Sequence, residues 1–384
     1  MSRRAAIPEI SPEELIRDAE SGVPVRVLDV RKPSEIQAGK IEIVPHDRFV
    51  PILGSRLLAM GPRITEKLPV DGPIAVVCGH GNTSKQIALI LNALGYDAAS
   101  VRGGMAAWAH ALAPRRMTPP DGFDLLIQFD RIAKGATGYL LAAGGEALVV
   151  DPPRKAQPYV DAAREAGVRI VAVADTHVHA DYLSGGPGLS RALGIPYHIH
   201  PADGILPYDG RPAAVPFAPV EEGGAIEVGG RAVRVEHTPG HTEGSVTYRA
   251  GDDVAFTGDF VFVKSVGRPD LGGKAEAWTG QLWKSLERAR REWPASLRIL
   301  PAHYASDAER EPDRSIGRAF GALAPENEPL SLREERTFRD WVLARVGTSP
   351  AAYVKIKTAN LGLLQLFEME AEELEGGRNE CALG

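Results

Sequence analysis

The first third of the chain alternates short apolar runs with stretches of helical periodicity. Runs at 25–30, 74–77 and 99–101 have the length and the apolar content of buried strands. Between the last two runs, apolar residues recur at helical spacing from Ile87 to Leu94, and Gly95 follows as a helix stop. This strand–helix–strand order predicts a parallel sheet covered by helices.

A breaker-rich stretch at 114–122 interrupts this pattern, and we place a domain boundary there. Beyond it, Gly138–Leu141 and Ala147–Asp151 predict a pair of strands joined by a turn at Gly144-Gly145. Strands and helices then alternate to about Pro301. The second region is therefore also expected to mix sheet and helix.

The length of 384 residues exceeds what one ordinary hydrophobic core organises, so at least two domains are expected. From about Ser331 the pattern is mostly helical. We predict three segments along the chain: a domain at 1–117, a domain at 118–330, and a C-terminal extension at 331–384 that packs on the second domain.

Composition narrows the function classes without selecting one. A net charge of -6 with 24% charged residues gives no basic surface for nucleic acid, and no apolar stretch predicts a membrane span or a signal peptide. The two cysteines, Cys78 and Cys381, lie far apart in sequence. A disulfide is therefore not expected, which fits the cytoplasm. We interpret Cys381 as an incidental exposed thiol near a mobile end, with a second persulfide carrier as the alternative.

Cys78 closes a predicted strand and opens a glycine-containing loop that leads directly into a helix. The N–H groups at a helix start favour an anion, and therefore the nucleophilic thiolate or a persulfide. A lone cysteine at a strand end is more often simply buried, but this loop favours a reactive thiol. The loop residues expected to surround the bound sulfur are Gly79, His80, Gly81, Asn82, Thr83 and Ser84.

This loop resembles the active-site loop of rhodaneses. Further similarity lies in Leu28–Arg31, in Glu35 and Gly39, and in Val101–Trp108, which together span most of the first domain. The resemblance implies a rhodanese-like α/β/α domain in which Cys78 is the catalytic residue and carries sulfane sulfur.

Two positions depart from the rhodanese pattern. The family usually has arginine where Thr83 stands, and often where Gly79 stands. Those arginines help to hold anionic sulfur donors. Their absence therefore argues against thiosulfate as the donor. His80 and Lys85 are the remaining nearby sources of positive charge.

A second group of polar residues follows the ends of apolar runs in the second domain. The first run ends in a segment with His177, His179 and Asp181 at spacings of two. Imidazole and carboxylate ligands suit zinc or iron. The later runs end at His241, Asp259 and His303. The pair His198 and His200 lacks an aspartate at the same spacing. We interpret these two histidines as structural residues or as residues that lie around a site without binding its metal.

The series resembles the metallo-β-lactamase superfamily over roughly 122–303, which implies an αββα sandwich. Tyr182 stands where the superfamily has the last histidine of the first motif, and this removes a ligand of a second metal. Persulfide dioxygenases of this fold bind one iron. The resemblance implies His177, His241 and Asp259 as ligands of one Fe(II), with zinc as the alternative metal. The residues implied to orient ligands or substrate are His179, Asp181, Tyr182 and His303.

The loop Gly267–Leu271 resembles the substrate-contacting loop of persulfide dioxygenases. Arg268 fits an arginine that binds the carboxylate of the thiol, because a guanidinium pairs with a carboxylate through two hydrogen bonds. A surface turn with a solvated arginine explains the same residues equally well.

Together the two resemblances imply a fused persulfide dioxygenase and sulfurtransferase. Such an enzyme oxidises a small thiol persulfide, such as glutathione persulfide, with O2 to sulfite, while Cys78 carries sulfur and thiosulfate is formed or used. The alternatives are a thioester or lactone hydrolase of the glyoxalase II type and a sulfur carrier or sensor with an inactive metal domain. A third alternative, reduction of oxygen or nitric oxide by two irons, would require a glutamate where His179 stands. The natural thiol, the choice of iron over zinc, and assembly as a homodimer or homotetramer stay open.

Overall fold

The computed structural model describes residues 7–61, 63, 68, 71–347 and 350–383. The chain divides into two compact units. The first unit comprises Met1–Ala113, Arg131–Lys134 and Gly376–Arg378, and the second comprises Pro114–Asp130, Gly135–Glu375 and Asn379–Gly384. The expected domain limits at 117 and 330 stay predictions.

The first unit contains one sheet of five parallel strands in the order β1-β5-β4-β2-β3. The predicted parallel sheet with covering helices is confirmed. The strands are β1 (Glu9–Ile10), β2 (Arg26–Asp29), β3 (Phe49–Pro51), β4 (Ile74–Val77) and β5 (Ala98–Val101). The helices are α1 (Pro12–Glu20), α2 (Pro33–Ala38), α3 (Gly54–Met60), α4 (Asn82–Ala93) and α5 (Gly104–Trp108), with a 3₁₀ turn at His46–Arg48.

Burial explains why these segments adopt their structure. All four residues of β2 and of β4 are buried, as expected for central strands of a sheet covered on both faces. In α4, the buried residues Ile87, Ala88 and Leu91 recur at helical spacing. The Cys78 loop therefore connects two buried elements, strand β4 and helix α4.

The second unit contains a sandwich of two sheets. Their orders are β12-β11-β10-β9-β8-β7-β6 and β13-β14-β15-β16-β17-β18. The strands of the first sheet are β6 (Ala113–Met117), β7 (Leu125–Arg131), β8 (Ala136–Ala143), β9 (Glu146–Val150), β10 (Arg169–Ala174), β11 (Tyr197–Ile199) and β12 (Ala218–Pro219). Those of the second are β13 (Ala225–Val228), β14 (Arg231–His237), β15 (Val246–Ala250), β16 (Val254–Gly258), β17 (Arg298–Pro301) and β18 (Arg318–Ala319).

The apolar faces of the two sheets form the main core of this unit. Leu141 and Val150 from the first sheet share one cluster with Val235, Tyr248 and Phe256 from the second. The predicted strand pair around Gly144-Gly145 is confirmed as the antiparallel β8–β9 hairpin. Part of the breaker-rich stretch at 114–122, where we place the domain boundary, belongs to strand β6.

Helices flank the sandwich, and the last of them ends at Leu374. They are α6 (Gln157–Ala166), α7 (Gly186–Leu193), α8 (Ala275–Glu292), α9 (Glu328–Ser331), α10 (Glu335–Leu343), α11 (Ala351–Asn360) and α12 (Glu368–Leu374). Phe338 and Val342 of α10 share a core cluster with Trp283 and Leu286 of α8. Among the residues described, no helix combines the length and hydropathy needed to span a bilayer.

Strand register determines where the polar residues meet. Strands β16 and β17 are parallel neighbours, with Gly258 opposite Pro301. Asp259 and His303, which follow these strands, therefore emerge at the same edge of the sheet. Gly258 has a φ of +53°, and a Cβ on it would lie 2.3 Å from Thr176 Oγ1, so this turn requires glycine.

Candidate metal centre and cysteine loop

The Cys78 sulfur lies in a cradle formed by its own loop. Sγ accepts hydrogen bonds from Gly81 N at 3.2 Å and from Ser84 N at 3.5 Å, and it lies 3.3 Å from Ser84 Oγ. Ser84 Oγ in turn lies 2.8 Å from Ser100 Oγ. The expected cradle at a helix start is therefore present, with the serine hydroxyl as an additional partner.

The environment of Cys78 favours its thiolate. Burial alone would raise its pKa, but the hydrogen bonds from the Ser84 side chain and from loop amides outweigh that effect and lower the pKa. The thiol is nearly buried, with 7% of the residue exposed. The lowered pKa favours the thiolate, which is the nucleophilic form of this side chain.

Of the other loop residues, Gly81 and Ser84 are buried and three are exposed. Asn82 and Thr83 are exposed in the first turn of α4, and His80 is exposed in the loop. Lys85, which we expected to add positive charge, instead pairs with Glu9 at 3.0 Å. The cradle itself is formed by backbone N–H groups and a hydroxyl.

The second site is a set of buried atoms that converge without hydrogen-bond partners. His177 Nε2 and His241 Nε2 lie 3.6 Å and 3.4 Å from Asp259 Oδ2. None of these three atoms has a hydrogen-bond partner in the described chain, and all three residues are buried. Buried polar atoms without partners are rare, and two metal ligands at bond lengths of about 2 Å lie about 3.3 Å apart. This donor set fits a metal ion.

The opposite atoms of the same side chains are held in place. His241 Nδ1 lies 2.9 Å from the Arg268 carbonyl oxygen, and His177 Nδ1 lies 3.1 Å from Thr176 Oγ1. Asp259 Oδ1 lies 2.7 Å from His303 Nδ1. Such outer hydrogen bonds fix the ring orientation and leave the inner atoms free for a metal.

The ionisation states suit a metal site as well. Burial lowers the pKa of His241 to about 4 and that of His177 well below its usual value, so both imidazoles keep a free lone pair at pH 7. Burial would raise the pKa of Asp259, but the charge of His303 outweighs that effect and lowers it. Neutral imidazoles and an ionised carboxylate are the forms that bind metals.

His303 connects the two aspartates of the centre. Its Nε2 lies 3.1 Å from Asp181 Oδ2, while its Nδ1 faces Asp259. Burial opposes protonation of His303, but Asp181 and Asp259 outweigh it and raise its pKa to about 10. In this arrangement His303 holds Asp259 in position.

His179 and Tyr182 form a separate group beside the centre. His179 Nε2 lies 3.2 Å from Asp151 Oδ1 and 2.9 Å from the Tyr182 hydroxyl, and the two rings stack at 4.2 Å. His179 also belongs to a cluster with Asp151 and Asp175. The structure thus places Tyr182 in packing and hydrogen bonding. His200, in the other histidine pair, stacks on His237 and accepts a hydrogen bond from Ala202 N.

Arg268 occupies a different environment from the one we expected. Its Nε and Nη2 atoms pair with Asp270 at 2.7 and 2.6 Å, and further bonds reach the carbonyl oxygens of Gly347 and Glu380. Only 7% of the residue is exposed. The interpretation of Arg268 as a solvated arginine in a surface turn is wrong. Its guanidinium is bonded to Asp270 and to two carbonyl oxygens of the chain.

The C-terminal part contributes residues to which the sequence analysis assigned no place near the centre. Asn360 Nδ2 donates to the carbonyl oxygens of His179 and Tyr182 at 2.9 and 3.0 Å, and its Oδ1 accepts from Ser184 N. Cys381, expected to be an exposed thiol, is instead buried in a cluster with Asp181 and His303. No motif marks these residues, because they meet the centre only through tertiary packing.

The fold and the buried donor set define the class of the protein. Residues 133–307 match the metallo-beta-lactamase superfamily, and residues 11–111 match the rhodanese-like domain. The chain belongs to the metallo-β-lactamase superfamily and carries a rhodanese-like domain at its N-terminal side. Its fold and donor set indicate a metal-dependent enzyme.

Individual relatives differ in their activities. A hydroxyacylglutathione hydrolase from Acidiphilium cryptum is 33% identical over 50% of this chain and 75% of its own length. The mitochondrial persulfide dioxygenase ETHE1 of Bos taurus is 33% identical over 41% of this chain and 59% of its own. A metallo-beta-lactamase structure from Staphylococcus aureus subsp. aureus COL is 28% identical with a TM-score of 0.56, covering 65% of this chain and 75% of its own. These similarities support the family. They do not distinguish between a persulfide dioxygenase and a thioester hydrolase.

Proposed function

We propose that this protein oxidises the terminal sulfur of a small-thiol persulfide with O2, and that Cys78 carries sulfane sulfur. The balanced reaction is RSSH + O2 + H2O → RSH + H2SO3. The observation that carries the proposal is the convergence of His177 Nε2, His241 Nε2 and Asp259 Oδ2 without partners in the described chain. Two imidazoles and one carboxylate are the ligand set of non-haem iron oxygenases.

The assigned roles follow from the contacts. His177, His241 and Asp259 would hold one Fe(II), and the bound iron would supply the activation of O2. His303 holds Asp259 through a 2.7 Å contact, and the Arg268 carbonyl oxygen orients His241 at 2.9 Å. All of these side chains are buried, so the proposed ligands are shielded from bulk solvent.

Cys78 would act as a sulfur carrier. Its thiolate attacks the outer sulfur of a persulfide RSSH, the S–S bond breaks, and the thiol RSH leaves with the proton. The resulting Cys78 persulfide is an anion, and the N–H groups of Gly81 and Ser84 can stabilise it. Transfer of that sulfur to sulfite would form thiosulfate.

Hydrolysis of a glutathione thioester is the second candidate. The relative from Acidiphilium cryptum favours it, since that protein is a hydroxyacylglutathione hydrolase. Such a reaction needs a metal-activated water, often between two metals. Tyr182, which stacks on His179, takes the place of a ligand that a second metal would use.

The two candidates can be tested side by side. Iron-loaded protein is given glutathione persulfide while O2 uptake and sulfite are recorded, and S-lactoylglutathione cleavage is assayed in parallel. We expect O2 uptake with sulfite formation, and Asp259→Ala should abolish both the uptake and the bound iron. Cys78→Ser serves as the matched control, because it removes sulfur transfer and leaves the metal centre intact. Thioester cleavage without O2 uptake would assign the chain to the hydrolases.

A further inference from the structure

The loop 265–268 passes directly beside two of the proposed metal ligands. A Cβ added to Gly267 would lie 1.9 Å from the Asp259 carbonyl oxygen and 3.0 Å from His241 Nδ1, so this close approach requires glycine. The next residue, Arg268, places its carbonyl oxygen 2.9 Å from His241 Nδ1. The orientation of the His241 ring therefore depends on the path of this loop.

A second stretch of chain, the segment 379–383, pairs with the loop 265–268 in antiparallel fashion. Main-chain hydrogen bonds join the two stretches on either side of a bridge between Gly267 and Ala382. The bonded pairs are Arg268 N with the Cys381 carbonyl oxygen at 2.9 Å and Leu383 N with the Val266 carbonyl oxygen at 3.2 Å. The segment therefore fixes the loop at the residue whose carbonyl oxygen contacts His241.

The segment 379–383 is itself anchored in the interior. Cys381 and Leu383 are 0% and 3% exposed, and they belong to two different apolar clusters. Between the pairing and these clusters, Glu380 N donates a hydrogen bond to the Tyr353 hydroxyl at 3.0 Å. The burial of the two side chains supplies free energy that keeps the segment against the loop.

Arg268 connects the segment to the metal centre. Its N–H group is bonded to the segment, while its carbonyl oxygen contacts His241. Its guanidinium also reaches the Glu380 carbonyl oxygen at 3.3 Å. If the segment moved away, the N–H group of Arg268 would lose its partner, and the loop would have to shift or admit water. Either change would displace the carbonyl oxygen that orients His241.

We propose that the segment 379–383 is a positioning element of the metal centre. By pairing with the loop 265–268, it keeps the Arg268 carbonyl oxygen against His241 and thereby raises the metal affinity of the site. This support comes from outside residues 133–307, which match the superfamily. The inference rests on the proposed function only for the assignment of His177, His241 and Asp259 as ligands.

Metal affinity of the full-length protein tests the proposal, with Zn²⁺ as the probe in competition with a chelating dye. Leu383→Ala weakens the anchor of the segment and should lower the affinity about 10-fold, as for other groups that orient ligands. Leu383→Met, which keeps the apolar volume, should restore most of the affinity. Leu286→Ala is the matched control, because Leu286 is buried in the same cluster but lies on α8.

The control separates positioning from a general loss of stability. Leu286→Ala should lower the urea midpoint of unfolding and yet bind Zn²⁺ as tightly as the unaltered protein. Tyr353→Phe leaves the apolar clusters in place and removes only the hydroxyl that accepts from Glu380 N, so it should weaken Zn²⁺ binding by a smaller factor. Equal losses of affinity in Leu383→Ala and Leu286→Ala would overturn the proposal. So would unchanged affinity in both Leu383→Ala and Tyr353→Phe.

Hydrogen exchange gives a second readout in the unaltered protein. Because coupling between two sites is reciprocal, a metal that binds more tightly when the segment is in place must also hold the segment in place. Zn²⁺ should therefore slow amide exchange at 379–383 about 10-fold, by the same coupling, and slow it less in α10, which shares the cluster of Leu383. Exchange at 379–383 that is the same with and without Zn²⁺ contradicts the proposal.

The proposed function can fail separately. If Zn²⁺ affinity depends on Leu383 but the iron-loaded protein oxidises no persulfide, only the dioxygenase assignment fails. If persulfide is oxidised and Leu383→Ala binds Zn²⁺ normally, only the role of the segment fails. If Asp259→Ala binds Zn²⁺ as tightly as the unaltered protein, the ligand assignment fails and this inference fails with it.

Discussion

The Cys78 loop and the metal centre are built in different ways. The Cys78 sulfur is held by groups three and six positions along the same segment, mostly backbone N–H groups. The metal centre draws side chains from four separate loops, and Asn360 supports it from 181 positions beyond His179. A site made of backbone depends on the local path of the chain, whereas a site made of side chains depends on distant packing.

This difference decides which substitutions each region tolerates. Most side chains around Cys78 are exposed, so changing them leaves the amide donors in place. In the metal centre every proposed ligand and both aspartates are buried, so a change leaves a polar atom without its partner. A single substitution should therefore disturb the metal centre more than the Cys78 loop.

The largest expected effect tests the outer contacts of the metal centre. His303→Asn removes the 2.7 Å contact to Asp259 Oδ1. We expect metal affinity to fall about 10- to 100-fold, as for other residues that orient ligands. Competition with a chelating dye measures the affinity, and His200→Asn, a histidine stacked on His237, is the control. Unchanged affinity would show that Asp259 needs no support from His303.

A smaller effect is expected from the long-range support of the same region. Asn360→Ala leaves the carbonyl oxygens of His179 and Tyr182 and the N–H of Ser184 without their partner. We expect a loss of about 1–2 kcal/mol in the free energy of unfolding. Urea unfolding followed by tryptophan fluorescence measures this loss. Thr358→Ala on the same helix should cost less, and an equal loss would refute the special role of Asn360.

The smallest effect is expected at the Cys78 loop. Ser84→Ala removes a side-chain donor that lowers the pKa of the thiol, so the pH profile of alkylation should move to higher pH. At pH 7 the rate should fall about three- to tenfold, the value of one hydrogen bond. Iodoacetamide kinetics in a Cys381→Ser background report this thiol alone. Gln86→Ala, exposed on α4, should leave the profile in place, and an unshifted profile for Ser84→Ala would assign the low pKa to the backbone alone.

Structural features that depend on the local sequence pattern could be predicted. Strand β4 lies at Ile74–Val77 as expected, and the Cys78 cradle forms where a glycine-containing loop enters a helix. The proposed metal ligands could also be found, because His177, His241 and Asp259 each follow an apolar strand or hairpin. Their proximity follows from strand order, which the alternation of elements favours.

Partners chosen by tertiary packing could not be predicted. Arg268 looks the same in sequence whether it faces solvent, a substrate or Asp270. Cys381 lies near the end of the sequence, where chains are usually mobile, yet it is buried beside Asp181.

The contact between Asn360 and the loop at His179 also bears on the order of folding. Hydrogen bonds from Asn360 close a chain segment of 181 positions, and contacts of such long range form slowly because loop closure costs entropy. The Cys78 cradle closes over only a few positions and can form together with β4 and α4. In refolding experiments, thiol reactivity should therefore return before the metal-binding capacity of the chain.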